Sequence, residues 1–338
     1  MDNIRQKMTD HDLPKPCMRC HANDMLGTKS SRQVAQNLSD FLKIDLNSPP
    51  LLVSHGVNLS NVCNLACRTC NSSRSTRWIA DELVLGEKPA GVLKSGWHLT
   101  PEQAAVVRNI EFLGGEPLLH QEEIKNCLQL IKEVGCIETL FISLTSNCTV
   151  PLQDELVELA SQCEAFHVGC SVDGYEKLND YIRWPSRWAD VVKNLDAIAD
   201  MASKNNKITF AVYITISLHN INSFMDVVTW LKDRYDLNLT KRVQLIFARN
   251  QDYFNATNLN DDIKSYIHSI LQPYIESGTE LARFAKAAAG YLHEPCALTQ
   301  SEFKNRYVNK SIALDRLRGI AFEDVNPDMA HMINASMW

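Results

Sequence analysis

From residue 51 onward, short runs of apolar residues alternate with longer stretches in which apolar positions recur every three or four residues. A run that is apolar at nearly every position suits a strand covered on both faces, whereas the longer recurrence lays one stripe along a helix. Six runs read as strands: Leu51 to Leu59, Asn109 to Leu113, Leu140 to Leu144, Phe166 to Val172, Ile208 to Ile216 and Val243 to Phe247. Between them, Gln121 to Val134 carries Ile124, Leu128 and Ile131 on one face and stops at Gly135, a residue suited to a left-handed cap. Thr100-Pro-Glu-Gln103 reads as a capping box with proline in the first helical position. Trp188, Val191, Val192, Leu195, Ile198 and Ala199 form a stripe that faces the sheet.

Strands alternating with helices in this way give a parallel sheet joined by right-handed crossovers. Six such units curl into a partial (β/α)6 barrel of the TIM type, with its chemistry at the C-terminal edge of the strands. The expected fold is therefore α/β: a short cysteine-containing N-terminal extension over residues 1–50, a barrel core over 51–250 and a helical C-terminal region over 251–338. Asn47-Ser-Pro-Pro50 marks the first boundary, and tail helices are expected near Asp261 to Tyr274, Leu281 to Leu292 and Phe303 to Leu317.

Composition narrows the function by exclusion. Thirty-four Lys and Arg against 40 Asp and Glu leave a net charge of -6, so the chain has no broad surface for a nucleic-acid backbone. No apolar run approaches the ~20 residues that span a bilayer. Met1 to Thr9 is charged and lacks a signal core, so a cytoplasmic protein without a membrane partner is expected. The 11 cysteines are an odd number and cannot all pair within the chain. In a reducing compartment, clustered cysteines read as metal ligands and scattered ones as small hydrophobes, the reading given to Cys127, Cys136, Cys163 and Cys170.

Candidate chemistry starts where the first strand ends. Cys63, Cys67 and Cys70 stand as C-x3-C-x2-C, one thiolate short of a closed four-ligand centre. An iron-sulfur cube held this way leaves one iron free for a small molecule. After the second strand comes Phe112-Leu-Gly-Gly-Glu-Pro117. There Gly114 and Gly115 let backbone approach a ligand, and Glu116 offers a carboxylate to an ammonium group. Taken alone, a strand ending in Gly-Gly is equally a tight turn.

The cysteine motif and Gly114-Gly-Glu-Pro117, in this order and at this separation, resemble the radical S-adenosylmethionine (radical SAM) enzymes. Leu144-Thr-Ser-Asn-Cys-Thr149 is similar to that family's third-strand Thr-Asn-Gly-Thr segment. Cys170-Ser-Val-Asp-Gly174, followed by Tyr181-Ile-Arg-Trp-Pro185, is similar to its fourth-strand Ser-x-Asp-Gly and downstream arginine. The resemblance implies that Cys63, Cys67 and Cys70 hold a 4Fe-4S cluster whose free iron binds the amino and carboxylate groups of SAM. One electron, from a donor such as flavodoxin or ferredoxin, then releases a 5'-deoxyadenosyl radical that abstracts hydrogen from a peptide or small-molecule substrate, an oxidoreductase-type or radical-modification activity. It assigns Gly114, Gly115 and Glu116 to the methionyl amine and Arg183 to its carboxylate. Asn147, Ser171 and Asp173 fall to the ribose or the barrel's polar floor, with a turn or capping role equally open. Two positions depart from the pattern. Thr69 replaces the aromatic residue that packs on adenine, leaving Trp78 or a fifth- or sixth-strand residue for that task, and Cys148 replaces a glycine.

Cys17-Met-Arg-Cys20 resembles a narrower subgroup with a twitch-type or SPASM-like auxiliary iron-sulfur domain before the barrel, and the stretch from Leu314-Asp-Arg-Leu-Arg-Gly319 through Pro327 fits the same subgroup. Three readings stay open for the pair: an auxiliary cluster completed by Cys296 or His21, a remnant, or a zinc half-site. For the whole chain the alternatives are a zinc-stabilised binding module, which leaves the Gly-Gly-Glu-Pro segment unexplained, and a degenerate barrel that binds SAM without cleaving it. His55 and His167 read as structural histidines.

Overall fold

The computed structural model describes residues 52–337 apart from 95, 250–252 and 297, together with isolated positions between 14 and 40. The chain divides into two units, Met1–Leu52 and Val53–Trp338. In the first, the Cys17 amide donates to the Pro14 carbonyl at 2.8 Å and the side chain is half-buried. Cys20, the other half of the N-terminal pair, lies outside the described residues.

The second unit is built on six strands: β1 Ser54–Asn58, β2 Asn109–Leu113, β3 Phe141–Ser146, β4 Ala165–Ser171, β5 Ile208–Ile216 and β6 Val243–Phe247. All neighbours pair parallel, in the order β1-β2-β3-β4-β5-β6. Each crossover therefore steps one strand in the same direction, the winding of a partial TIM-like barrel. Residues paired across a parallel ladder share a face, and the two faces differ sharply. Ile110, Phe112, Ile142, Leu144, Phe166, Val168, Val212 and Ile214 are buried against Ile124, Leu128 and Ile131 of helix Gln121–Glu133 and Val191, Leu195 and Ile198 of helix Trp188–Lys204. The opposite face carries the rows Glu111-Ser143-His167-Thr209 and Ser171-Tyr213-Gln244, polar and less buried.

Small shifts from the sequence expectation have local causes. β3 begins at Phe141 because the Leu140 amide closes the preceding 3-10 turn on Ile137, and it runs on through Ser146 because Thr145 and Ser146 pair with Gly169 and Cys170. The expected helix over Phe303 to Leu317 is three pieces: an α-helix Gln300–Arg306 with a Thr299/Glu302 capping box, a π-helical stretch Tyr307–Ile312, and an α-helix Ala313–Arg318 closed by Gly319 at φ 67°. Helices Asp261–Glu276 and Leu281–Leu292 pack on each other, and Tyr291 covers Phe247 of β6 with ring centroids 4.7 Å apart. Cys127, Cys163 and Cys170 are buried core residues, while Cys136 is half-buried. Among the described residues no helix is long and apolar enough to cross a membrane.

Candidate cluster and cofactor site

Cys63, Cys67 and Cys70 sit on the loop leaving β1 at the C-terminal edge of the sheet, and every stretch of that loop is tied down. Its entry is held from β2: the Gly115 amide donates to the Ser60 carbonyl and the Glu116 amide to the Val62 carbonyl, both at 2.9 Å. The Ser60 hydroxyl accepts from the Val62 amide at 2.9 Å and stands 2.7 Å from His120 Nε2, whose other ring nitrogen faces Glu123. The middle is sewn to the segment after β4, with the Ala66 and Arg68 amides donating to Trp184 and Ile182 carbonyls at 2.7 Å. Trp78 Nε1 donates to the Cys67 carbonyl at 2.9 Å.

This packing gives the two glycines a further reason. Gly114 has φ 130°, and a Cβ there would meet Ser60 O at 2.4 Å; a Cβ on Gly115 would meet Val62 O at 2.1 Å. The missing side chains let β2 press against the protein's own cluster loop, a close backbone approach only glycine allows.

Glu116 is 1% exposed, and its two oxygens accept from the Leu118 amide at 3.1 Å and the Asn147 amide at 2.7 Å. Burial pushes its carboxyl up, and those amides act against the shift by favouring the charged form. Asn147 in turn donates through Nδ2 to Asn64 Oδ1 at 2.9 Å, lies 3.9 Å from Cys63 Sγ, and accepts from Thr149 in an Asx turn. The next residue, Cys148, stands at φ 59°, the left-handed conformation in which a glycine costs least. Glu116 and Asn147 thus lock the ends of β2 and β3 to the cysteine loop.

Asp173 is fully buried and organises the end of β4: its carboxylate accepts from Arg183 Nη1 and from the Thr215 amide, each at 2.7 Å, and its carbonyl accepts from Asn220 Nδ2 at 2.6 Å. With both oxygens engaged, Asp173 aims Arg183. Ser171 is half-buried on the polar face beside Tyr213. Arg183 Nε is buried and has no hydrogen-bond partner among the described residues.

The electrostatics converge on the same spot. Burial pushes the Cys67 thiol up to about 12 and the Cys70 thiol to about 11, and raises Cys63 as well. Arg183 pulls all three back down, while Cys63 raises both Cys67 and Cys70 and Cys70 raises Cys67. Buried thiols of this kind keep their protons until a metal displaces them. Three buried thiols and a buried guanidinium N–H without a partner among the described residues fit a metal-thiolate centre with a carboxylate beside it.

Trp78 is not an adenine platform: it is fully buried beneath the Arg318 guanidinium, 4.9 Å from its ring centroid. Thr69 is half-buried. His167 sits on the polar face, its Nδ1 2.9 Å from Thr209 Oγ1, and the His55 ring packs edge-on against Trp97. Sequence reasoning missed Arg68, buried between two of the cysteines, and its partners in the C-terminal region; the signal available was an arginine inside the cysteine motif.

Comparison with known proteins places this geometry. The Radical SAM superfamily model matches residues 57–231, which span all three cysteines, the Gly-Gly-Glu-Pro turn and Arg183. The sporulation killing factor maturation protein SkfB of Bacillus subtilis is 27% identical over 180 residues, covering 53% of this chain and 39% of that protein. Among solved structures, anSMEcpe with bound AdoMet and a Kp18Cys peptide is 18% identical with a TM-score of 0.45, covering 68% of this chain and 61% of that one. Streptococcus suis SuiB bound to its precursor peptide SuiA is 12% identical with a TM-score of 0.43, covering 88% of this chain and 68% of that one. This chain therefore spans well under half of SkfB and about three-fifths of anSMEcpe. The family model covers more than half of the chain, which belongs to the radical SAM superfamily and is an enzyme whose cofactors are a 4Fe-4S cluster and S-adenosylmethionine.

Proposed function

We propose that this enzyme modifies a peptide, with Cys63, Cys67 and Cys70 holding the cluster and the strand ends above β2 to β5 holding SAM. When bound, the cluster and SAM supply one-electron cleavage to a 5'-deoxyadenosyl radical that takes hydrogen from the substrate. The protein's part is orientation and charge. Arg183, fixed by Asp173 and close enough to the cysteines to lower all three thiols, uses its unpartnered Nε–H to pair with the carboxylate of SAM. The Gly114 to Glu116 turn, rigid against the loop, offers its backbone to the methionyl amine, and Glu116 acts chiefly by holding that turn and Asn147 in place. Ser171 and Asn147 face the ribose. A peptide substrate is favoured by SkfB, a maturation protein by name, and by the polar concave rows from Glu111 to Gln244, whose hydroxyl, carboxylate and amide groups suit a main chain.

The observation that carries the reading is the orphaned buried Arg183 Nε beside three thiols. Anaerobic reconstitution with iron and sulfide, then dithionite and SAM, is expected to yield 5'-deoxyadenosine. Equal product from a Cys63→Ala control refutes the proposal.

A further inference from the structure

Arg68 lies between the second and third cysteines, yet its side chain points away from solvent and is 1% exposed. Its Nη2 meets Asp315 Oδ1 at 2.5 Å, its Nε donates to the Tyr181 carbonyl at 3.2 Å, and its guanidinium lies 3.7 Å above the Tyr181 ring. Nη1 reaches the Ser311 carbonyl at 3.4 Å, within the π-helical stretch Tyr307–Ile312. Interruptions of this kind are frequent at functional sites. Asp315 is itself shared out: Oδ1 also accepts from the Tyr181 hydroxyl at 2.9 Å and Oδ2 from the Phe322 amide at 3.0 Å. The Arg68 carbonyl accepts from the Tyr253 hydroxyl at 3.0 Å. A second pair repeats the arrangement one turn later. Arg318 bonds Asp81 at 2.7 Å and stacks between Trp78 and Trp184, and Trp78 holds the Cys67 carbonyl.

Burying an ion pair gains little net stability against an apolar replacement, so its presence beside a redox centre asks for another reason. We infer that Arg68 and Asp315 are positioning residues for the cluster: through them the C-terminal segment fixes the backbone between Cys67 and Cys70 and balances the charge next to it. This rests on the three cysteines holding the cluster. Charge and hydrogen bonding around an iron-sulfur centre set its reduction potential, so breaking the pair from either side has opposite consequences. Asp315→Asn leaves a buried guanidinium unbalanced and favours the reduced cluster; Arg68→Gln leaves the carboxylate and favours the oxidised one.

The test uses the full chain, reconstituted anaerobically, with iron and sulfide content, the electron paramagnetic resonance spectrum and the midpoint potential as readouts. The expected result is a higher potential in Asp315→Asn, a lower one in Arg68→Gln, and Arg68→Lys close to the parent. Should either variant lose its cluster, Arg68→Lys is expected to retain it. Parent-like potentials in both variants, shifts of the same sign, or cluster loss in Arg68→Lys as well overturn the assignment. A parent chain that takes up no iron and sulfide refutes the cysteine assignment and the positioning role of Arg68 and Asp315 with it, whereas a loaded parent with silent variants refutes the positioning role alone.

Discussion

Replacing Gly115 by alanine isolates what the Gly-Gly turn does for the cysteine loop. The new Cβ lies 2.1 Å from Val62 O, 2.5 Å from Val62 C and 2.9 Å from Asn61 C, all backbone atoms that no rotamer change can move aside. Reaching an ordinary contact of about 3.4 Å requires β2 and the loop to part by more than an ångström. That parting breaks the Gly115–Ser60 and Glu116–Val62 hydrogen bonds. Two such bonds at ~1 kcal/mol each, with ~1–3 kcal/mol for overpacking, give a loss of roughly 3–5 kcal/mol. A domain stable by ~5–15 kcal/mol survives this in weakened form. Denaturant unfolding of the apo protein measures the first effect, and iron bound per chain after reconstitution measures the displaced loop. An alanine variant within ~1 kcal/mol of the parent and fully loaded would show that the turn does not hold the motif.

Other outcomes follow from the same contacts. Asp173→Asn leaves the buried Arg183 charge without its partner and is expected to cost ~3–5 kcal/mol and to abolish SAM binding by calorimetry; parent-like affinity contradicts the role given to Asp173 as the group that aims Arg183. The buried thiols make the apo protein alkali-sensitive. Burial raises Cys67 and Cys70 from 9.0 to about 12 and about 11, so folding favours the protonated forms. Their stabilisation is complete below pH 9 and is lost as pH rises from there through the folded values. Unfolding midpoints followed from pH 8 to 11 are expected to fall less steeply in Cys67→Ala than in the parent, and identical slopes contradict this.

What the sequence revealed divides along the range of the interactions. The strands were legible because burial on both faces leaves a continuous apolar run, and all six expected runs contain the observed ones or overlap them within a few residues. The C-x3-C-x2-C spacing and the Gly-Gly turn were legible as motifs, but the physical reason for the glycines was not: it depends on a neighbouring loop, not on the local chain. Trp78 shows the same limit: it carries the composition of a ligand platform and is a fully buried support. The break at Tyr307–Ile312 escaped because the apolar period runs through it, while the Arg68 contact that meets it comes from the far end of the chain.

That separation bears on how the enzyme is made. Asp315 follows Arg68 by 247 residues. At ~5–20 residues per second, a ribosome exposes the three cysteines roughly 10–50 s before the residue that completes their loop is synthesised. Cofactor insertion into the finished geometry accordingly waits until synthesis has passed Asp315, and a nascent chain carries its thiols through that interval without their final support.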